Sequence, residues 1–253
     1  MGPLFRVRAA LGLAAACARS VRDGLPFDAA LRAFNVAEVP IDRAVIRQAR
    51  ELYERHVANH VRSDERVVSN QGCTFYAEQP GWPSDIRWWS ADDEATFARF
   101  QRLFDQVLPS LAARGLWAQG GRLYCGFFVT RSRCNETAFH FDYVDECGAN
   151  AYTFMTPIDD WEGPAGQLVY RDSFGRRCTY QYKKGVAIVL GARFHHGTQP
   201  CVDVPRAFLC FTFGTSNPEA WPHIRRTVAV QSRLFRGPDG AFQNRSQPAG
   251  PVA

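Results

Sequence analysis

Several absences frame this 253-residue chain. Methionine is nearly missing, with 2 in the whole sequence. The eight cysteines, at 17, 73, 125, 134, 147, 178, 201 and 210, form no C-x-x-C pair, so the spacing of a zinc finger or a dithiol redox centre is lacking. Nothing in their arrangement asks for disulfides, and a reducing cytoplasmic setting is the default expectation. No apolar run reaches the length of a membrane span. Lys and Arg are not gathered into a block: the net charge of +5 comes mostly from Arg scattered along the chain. That pattern suits a solvated surface and does not call for a nucleic-acid partner. There are no internal repeats.

What is present is aromatic and β-branched. The chain has 19 Phe, 8 Tyr and 6 Trp, and 46% of its residues are hydrophobic, enough for a sizeable core. Residues 1–22 carry Arg6, Arg8, Arg19 and Arg22 and no acid around the apolar stretch Ala9–Ala18. They read either as an amphipathic first helix or as a weak targeting segment. Asp42 can cap a helix through about His60, with Ala44, Val45, Ala49, Leu52, Tyr53 and Val57 on one stripe. A β-like segment at Val67–Tyr76 and a Pro/Trp-rich loop, Gln79–Trp89, precede a second helix over Ala91–Arg114.

The period changes after Gly120. Short Phe, Tyr, Val and Thr runs alternate with turn residues, which predicts strands at Arg122–Arg131, Thr137–Tyr143, Ala149–Ile158, Gly166–Arg171, Cys178–Tyr182, Val186–Leu190 and Arg206–Phe213. Turns fall at Gly163-Pro164, Ser173-Phe174-Gly175 and Lys184-Gly185. Helices followed by many short strands predict a mostly β protein, a barrel or sandwich backed by N-terminal helices. The expected division is a helical region, 1–119, a β core, 120–236, and a flexible Pro/Gly-rich tail, 237–253. Cys125 and Cys210 lie in apolar strand runs and are expected as buried thiols.

The chemistry sits in Phe139-His140-Phe141-Asp142-Tyr143. On a strand, alternate side chains share a face, so His140 and Asp142 would project together. Phe194-His195-His196-Gly197-Thr198 then offers a second imidazole, from His195 or His196. Two histidines and one carboxylate form a facial set that leaves positions open on a metal and favours iron over zinc. Arg206 opens the apolar strand Arg206–Phe213, where an unpaired guanidinium would be costly and a carboxylate ligand is its natural partner.

His140-Phe141-Asp142, then His196, then Arg206 resembles the H-x-D…H…R/K signature of the iron(II)- and 2-oxoglutarate-dependent oxygenases. The segment His196-Gly197-Thr198-Gln199-Pro200 through Pro205-Arg206 is similar to the distal motif of the phytanoyl-CoA and prolyl hydroxylase branches. The resemblance covers about residues 120–215. It implies a double-stranded β-helix (a cupin-like jelly roll), with Fe(2+) held by His140, Asp142 and His196 and His195 turned away. It implies that Arg206 binds the C5 carboxylate of the cosubstrate 2-oxoglutarate, with Tyr124 and Thr212 as further contacts. With O2, the expected reaction is hydroxylation or a related oxidation of an unactivated C–H bond. Because Asp142 is present, halogenation is not expected.

For the substrate, Arg131, Asn150 and Tyr152 are candidate contacts. Arg131 and Arg133 before the H-x-D segment and Asp145-Glu146 after it would suit a small zwitterion such as an amino acid, or a natural-product intermediate. Gln71–Tyr76 and Gln79–Trp89 would form the rim. An oxygenase acting on protein or nucleic acid, and a non-catalytic jelly-roll binding protein, are the competing readings.

Overall fold

The structure is a computed structural model, and it describes residues 36–56, 69–70, 73–76, 82–117, 121–161, 163–172 and 175–245. Both readings of residues 1–22 fall outside these residues. Strand β1 (Val36–Pro40) is followed by helix α1 (Arg43–His56), strands β2 (Ser69–Asn70), β3 (Cys73–Tyr76) and β4 (Arg87–Ala91), and helix α2 (Glu94–Ala113). Then come β5 (Arg122–Arg131), β6 (Ala151–Pro157), β7 (Leu168–Arg171), β8 (Arg177–Tyr180), β9 (Val186–Leu190), β10 (His196–Thr198) and β11 (Arg206–Gly214). Helix α3 (Trp221–Gln231) and the hairpin β12 (Leu234–Arg236) and β13 (Phe242–Asn244) complete the described chain.

Two antiparallel sheets face each other in a jelly roll. The major sheet has the order β1-β9-β6-β11-β5-β4-β3-β2, and the minor one β10-β7-β8. Period-two patterning is what lets each major strand serve two cores. On β11, Phe208 and Cys210 face the minor sheet, while Leu209 and Phe211 face the helices. Phe100 and Phe104 of α2 are fully buried against that outer face, where each phenyl ring contributes about 1.5–3 kcal/mol of burial.

Local chemistry explains the helix limits. Asp42 Oδ1 accepts from the Ala44 amide at 2.7 Å, and Asp93 Oδ1 from the Thr96 amide at 2.6 Å. The second helix thus starts after the predicted Ala91, which belongs to β4. Trp88 and Trp89, expected in a loop, are strand residues that alternate between the two cores, Trp89 with the helix layer and Trp88 with the intersheet layer.

Two further expectations are corrected. Thr137–Tyr143 is not a strand: it meets β10 only through the single bridge His140↔His196. The flexible tail expected from 237 does not hold as far as 245, because β13 pairs with β12 and Phe242 packs edge-on against Phe97 at 5.0 Å. Residues 246–253 lie outside the described ones. No helix among the described residues is long and apolar enough to cross a membrane.

Candidate metal centre

His140 and His196 are positioned by one reciprocal backbone pair. The His140 amide donates to the His196 carbonyl at 2.8 Å, and the His196 amide to the His140 carbonyl at 3.0 Å. Residues directly opposite in an antiparallel pair share a face, and the two imidazole centroids lie 4.6 Å apart. Each ring is oriented from behind. His140 Nδ1 sits 3.0 Å from the Ala138 carbonyl, and His196 Nδ1 2.9 Å from the Phe194 carbonyl. A carbonyl can only accept, so each Nδ1 carries the proton and donates it. Both Nε2 lone pairs are left facing inward.

Asp142 closes the set. Its Oδ1 is 3.6 Å from Nε2 of both histidines, and one donor atom from each of the three residues fits within 4.8 Å. Bonds of ~2.0–2.2 Å to a shared first-row ion place cis ligands ~3–4 Å apart, so the donor spacing fits a metal. Asp142 comes from a bend, not a strand, and its backbone carbonyl accepts from the Thr227 hydroxyl of α3. Burial holds His196 below its ordinary pKa despite the Asp142 charge, with the His140 ring acting in the same direction as burial. A neutral imidazole is the form that ligates.

His195 is turned the other way. Its ring stacks on exposed Phe141, with centroids 4.5 Å apart and planes 16° apart. Burial and the Arg171 charge lower its pKa.

A cavity of about 360 Å³ opens on the triad. Trp82, Ile86, Trp88, Phe127, Val129, Met155, Phe208 and Cys210 give it mainly apolar walls, and Trp82 meets His140 edge-on at 5.3 Å. The wall segment at 82–88 is tied down by Asp85. Its carboxylate accepts from the amides of Ser132 (2.9 Å) and Arg133 (2.8 Å) and from the Ser132 hydroxyl. Burial raises the Asp85 pKa, but these bonds and the Arg87 charge outweigh it and hold the carboxyl below its ordinary value.

The other sequence candidates divide sharply. Arg131 lines the cavity and is only 8% exposed. It donates to the Thr198 hydroxyl and, at 3.1 Å, to the Gly166 carbonyl. No carboxylate among the described residues pairs with it. Arg206 lies directly across from it on β11, but its guanidinium stacks over Trp161 at 4.2 Å, and it is not among the described cavity-lining residues. Tyr124 is also outside the cavity. The register between β5 and β11 shifts between Thr212 and Phe213, leaving Tyr124 as the unpaired residue of a bulge. Its hydroxyl donates to the Thr215 carbonyl at 2.5 Å.

Thr212 does not reach the Arg131 end; it donates to Gln231 Oε1 at 2.6 Å. Asn150 is used structurally, with its side-chain oxygen accepting from the Thr215 hydroxyl at 2.8 Å and its amide nitrogen donating to the Cys147 carbonyl at 3.0 Å. Tyr152 faces the helix layer, while the cavity takes residues of the opposite parity on β6, Thr153 and Met155. Arg133, Asp145 and Glu146 are exposed and do not line the cavity. Side chains of Gln71–Tyr76 fall outside the described residues.

Sequence reasoning missed the α3 wall: Arg226, Thr227, Val230 and Gln231 all line the cavity. The signal was there in Trp221, Ile224 and Val228, buried at helical spacing behind Pro222. It also missed Tyr182, which lines the cavity next to Arg131. Burial drives the Tyr182 pKa upward, and the Arg131 charge partly offsets this.

No protein-family model matches the chain, and no curated protein matches it by sequence. Solved structures do resemble it. The non-heme alpha ketoglutarate dependent epimerase SnoN of nogalamycin biosynthesis aligns at TM-score 0.56 and 16% identity, over 80% of this chain and 84% of that one. The carbocyclase SnoK of the same biosynthesis aligns at 0.54 and 12%, over 74% and 82%. HygX from Streptomyces hygroscopicus, with nickel and 2-oxoglutarate bound, aligns at 0.52 and 15%, over 73% and 84%. At these identities the likeness is one of fold: the chain has the jelly roll of these three proteins, with two histidines and an aspartate gathered inside it.

Proposed function

We propose that the chain is an iron(II)- and 2-oxoglutarate-dependent oxygenase that oxidises a C–H bond of a small molecule. The observation that carries this is the pairing, in one cavity, of the His140–Asp142–His196 set with the buried guanidinium of Arg131. A buried cation without a carboxylate is costly unless a bound anion completes it. His196 and Thr198 alternate on β10 and so face the same side, ~6–7 Å apart along the strand. The hydroxyl held by Arg131 is therefore one five-carbon dicarboxylate's reach from the metal ligands.

In this reading His140, Asp142 and His196 would hold the iron, and the C5 carboxylate of 2-oxoglutarate sits on Arg131 and Thr198. That reassigns the anchor from Arg206 on β11 to the residue opposite it on β5. Bound there, iron would supply activation of O2 coupled to decarboxylation of 2-oxoglutarate, and SnoN and SnoK, which share the fold, are named as alpha ketoglutarate dependent. The protein's share is positioning. The Ala138 and Phe194 carbonyls fix the two imidazoles, Thr227 fixes the loop bearing Asp142, and the aromatic walls exclude water from the reacting centre. The complexes of SnoN with nogalamycin RO and of HygX with hygromycin B support a natural-product substrate over a macromolecule.

The test is an anaerobic titration of the full chain with iron(II) and 2-oxoglutarate. A metal-to-ligand charge-transfer band in the visible is expected, together with its loss in His140→Ala. Failure of the wild-type chain to bind iron or develop the band would leave a non-catalytic binding protein as the better reading.

A further inference from the structure

Strand register turns the cavity floor into a grid with two unlike ends. Along β5 the inward residues run Arg131, Val129, Phe127, Cys125, and β11 places Phe208, Cys210 and Thr212 opposite the last three. Thr153 of β6 lies opposite Thr212. From Arg131 to Cys125 the strand covers ~20 Å. The cavity-lining part of this row is cationic at Arg131 and apolar through the middle, and its other end is the neutral hydroxyl of Thr153, behind which Cys125 and Thr212 are fully buried.

Helix α3 meets the floor at that neutral end. Gln231 is 8% exposed and lines the cavity. Its carboxamide oxygen is taken by the Thr212 hydroxyl at 2.6 Å, while the nearby Tyr143 and Thr153 hydroxyls bond each other at 2.9 Å. With the oxygen so committed, the amide nitrogen of this cavity-lining residue makes no hydrogen bond among the described residues. A fixed donor on the cavity wall is available to an acceptor that arrives with a ligand. Thr227, one helical turn earlier on the same stripe, holds the Asp142 carbonyl. The Gln231 amide is thus ~6 Å along the helix from a residue that touches the metal-ligand loop.

We propose that Gln231 is a substrate-recognition residue. Its amide donates to an uncharged oxygen, a carbonyl, ether or hydroxyl, of a largely apolar ring-bearing substrate whose flat surface lies against Trp82 and Trp88. The inference rests on the oxygenase reading in taking the Arg131 end as filled by the cosubstrate. It replaces the zwitterion expected from the flanking charges: beside Gln231 the cavity-lining cation of α3 is Arg226, which is exposed and solvated, so an acid would meet a neutral amide in the buried part of this end. The carboxylates that line the cavity are Asp142, committed to the metal set, and Glu136 at the exposed rim.

The test uses the full chain loaded with iron(II) and saturating 2-oxoglutarate without oxygen. Acetophenone, benzoate and benzylamine serve as probes of matched ring and different charge. The readout is paramagnetic broadening of their ring protons in NMR spectra. Acetophenone should be broadened with at least tenfold higher apparent affinity than the other two. Gln231→Leu should weaken it at least fivefold, and Gln231→Glu should weaken it and turn the preference towards benzylamine. The charge-transfer band should persist in both variants, and the near-isosteric Glu variant decides if the Leu variant fails to fold. A normal band with benzoate or benzylamine bound as well as acetophenone, with no probe broadened, or with acetophenone unaffected by Gln231→Leu, overturns the role of Gln231 alone. Absence of the band in the wild-type chain overturns the oxygenase reading, and this inference with it.

Discussion

Exchanging Arg131 for Met keeps the length of the side chain and removes only its fork of donors and its charge. In the structure that fork bonds the Thr198 hydroxyl and the Gly166 carbonyl at the deep end of the cavity. If it also holds the far carboxylate of 2-oxoglutarate, its loss strands a buried anion. Truncating one partner of a buried, hydrogen-bonded charge pair costs about 2–5 kcal/mol, which at ~1.4 kcal/mol per decade is roughly a 30- to 4,000-fold weaker Kd. Arg206→Met removes a guanidinium that stacks on Trp161 outside the described cavity lining, and should change the Kd by about fivefold or less, the range of a surface cation–π contact. The assay is the anaerobic titration of 2-oxoglutarate into iron-loaded protein, followed by the visible band, with iron affinity measured separately and expected to be equal in both variants. Thermal melting of the unloaded protein adds an independent check. Arg131→Met should not lower Tm, because it removes a buried cation that has no carboxylate partner among the described residues. A large loss of affinity in Arg206→Met, with Arg131→Met near wild type, would refute the reassignment and restore the anchor to β11.

Three other outcomes follow from the geometry. A Cβ on Gly197 would lie 2.8 Å from the Ala138 carbonyl, the acceptor that orients His140, so Gly197→Ala should weaken iron binding by about 10–100-fold, as loss of a ligand's outer partner does, measured by competition with a chelator. Asp85 has a folded pKa below its unfolded value, so its contribution to stability is fully present above that unfolded value, ~3.9, and is lost as pH falls through the folded pKa. Asp85→Asn should flatten the acid side of the stability curve and loosen the wall bearing Trp82, read by urea denaturation at neutral pH and at a series of pH values below ~4. In the helix layer, a Cβ on Gly126 would come within 2.5 Å of Phe100 Cβ; Gly126→Ala should cost about 1–3 kcal/mol by overpacking, and pairing it with Phe100→Ala should give less than the sum of the two single losses.

How far the site could be read from the sequence depended on how regular the backbone is at each residue. Strands β5, β6, β9 and β11 were legible because their apolar runs pair regularly over most of their length, and the thiols of Cys125 and Cys210 are buried as those runs require. Wherever alternation breaks, inference by parity failed. Tyr124 was read as facing the cosubstrate, but a bulge at that residue interrupts its pairing with β11. His140 and Asp142 do converge, though not because they share a strand. A single reciprocal pair with His196 sets one, and a hydroxyl from α3 pins the backbone of the other. No periodicity encodes such an arrangement, so the strand argument brought together two residues that do converge, by a geometry the chain does not adopt.

The two arginines show a different limit. Arg131 and Arg206 close the same row of the sheet from neighbouring strands, and each bounds an apolar strand run, but only Arg206 has the position after His196 that the resemblance asks for. What separates them in space is that the Arg206 guanidinium stacks on Trp161 outside the cavity lining, whereas Arg131 lies in the cavity, over the Phe208 ring and bonded to a hydroxyl and a carbonyl. The far wall was hidden for a related reason. Thr212 points inward as its parity requires, yet its hydroxyl is spent on Gln231, from a helix that the β-rich reading did not anticipate. A polar residue at a correct inward position therefore specifies only that something must satisfy it. Whether the partner is a ligand or another side chain is decided by elements far away in sequence, and for Thr212 that partner is Gln231 of α3.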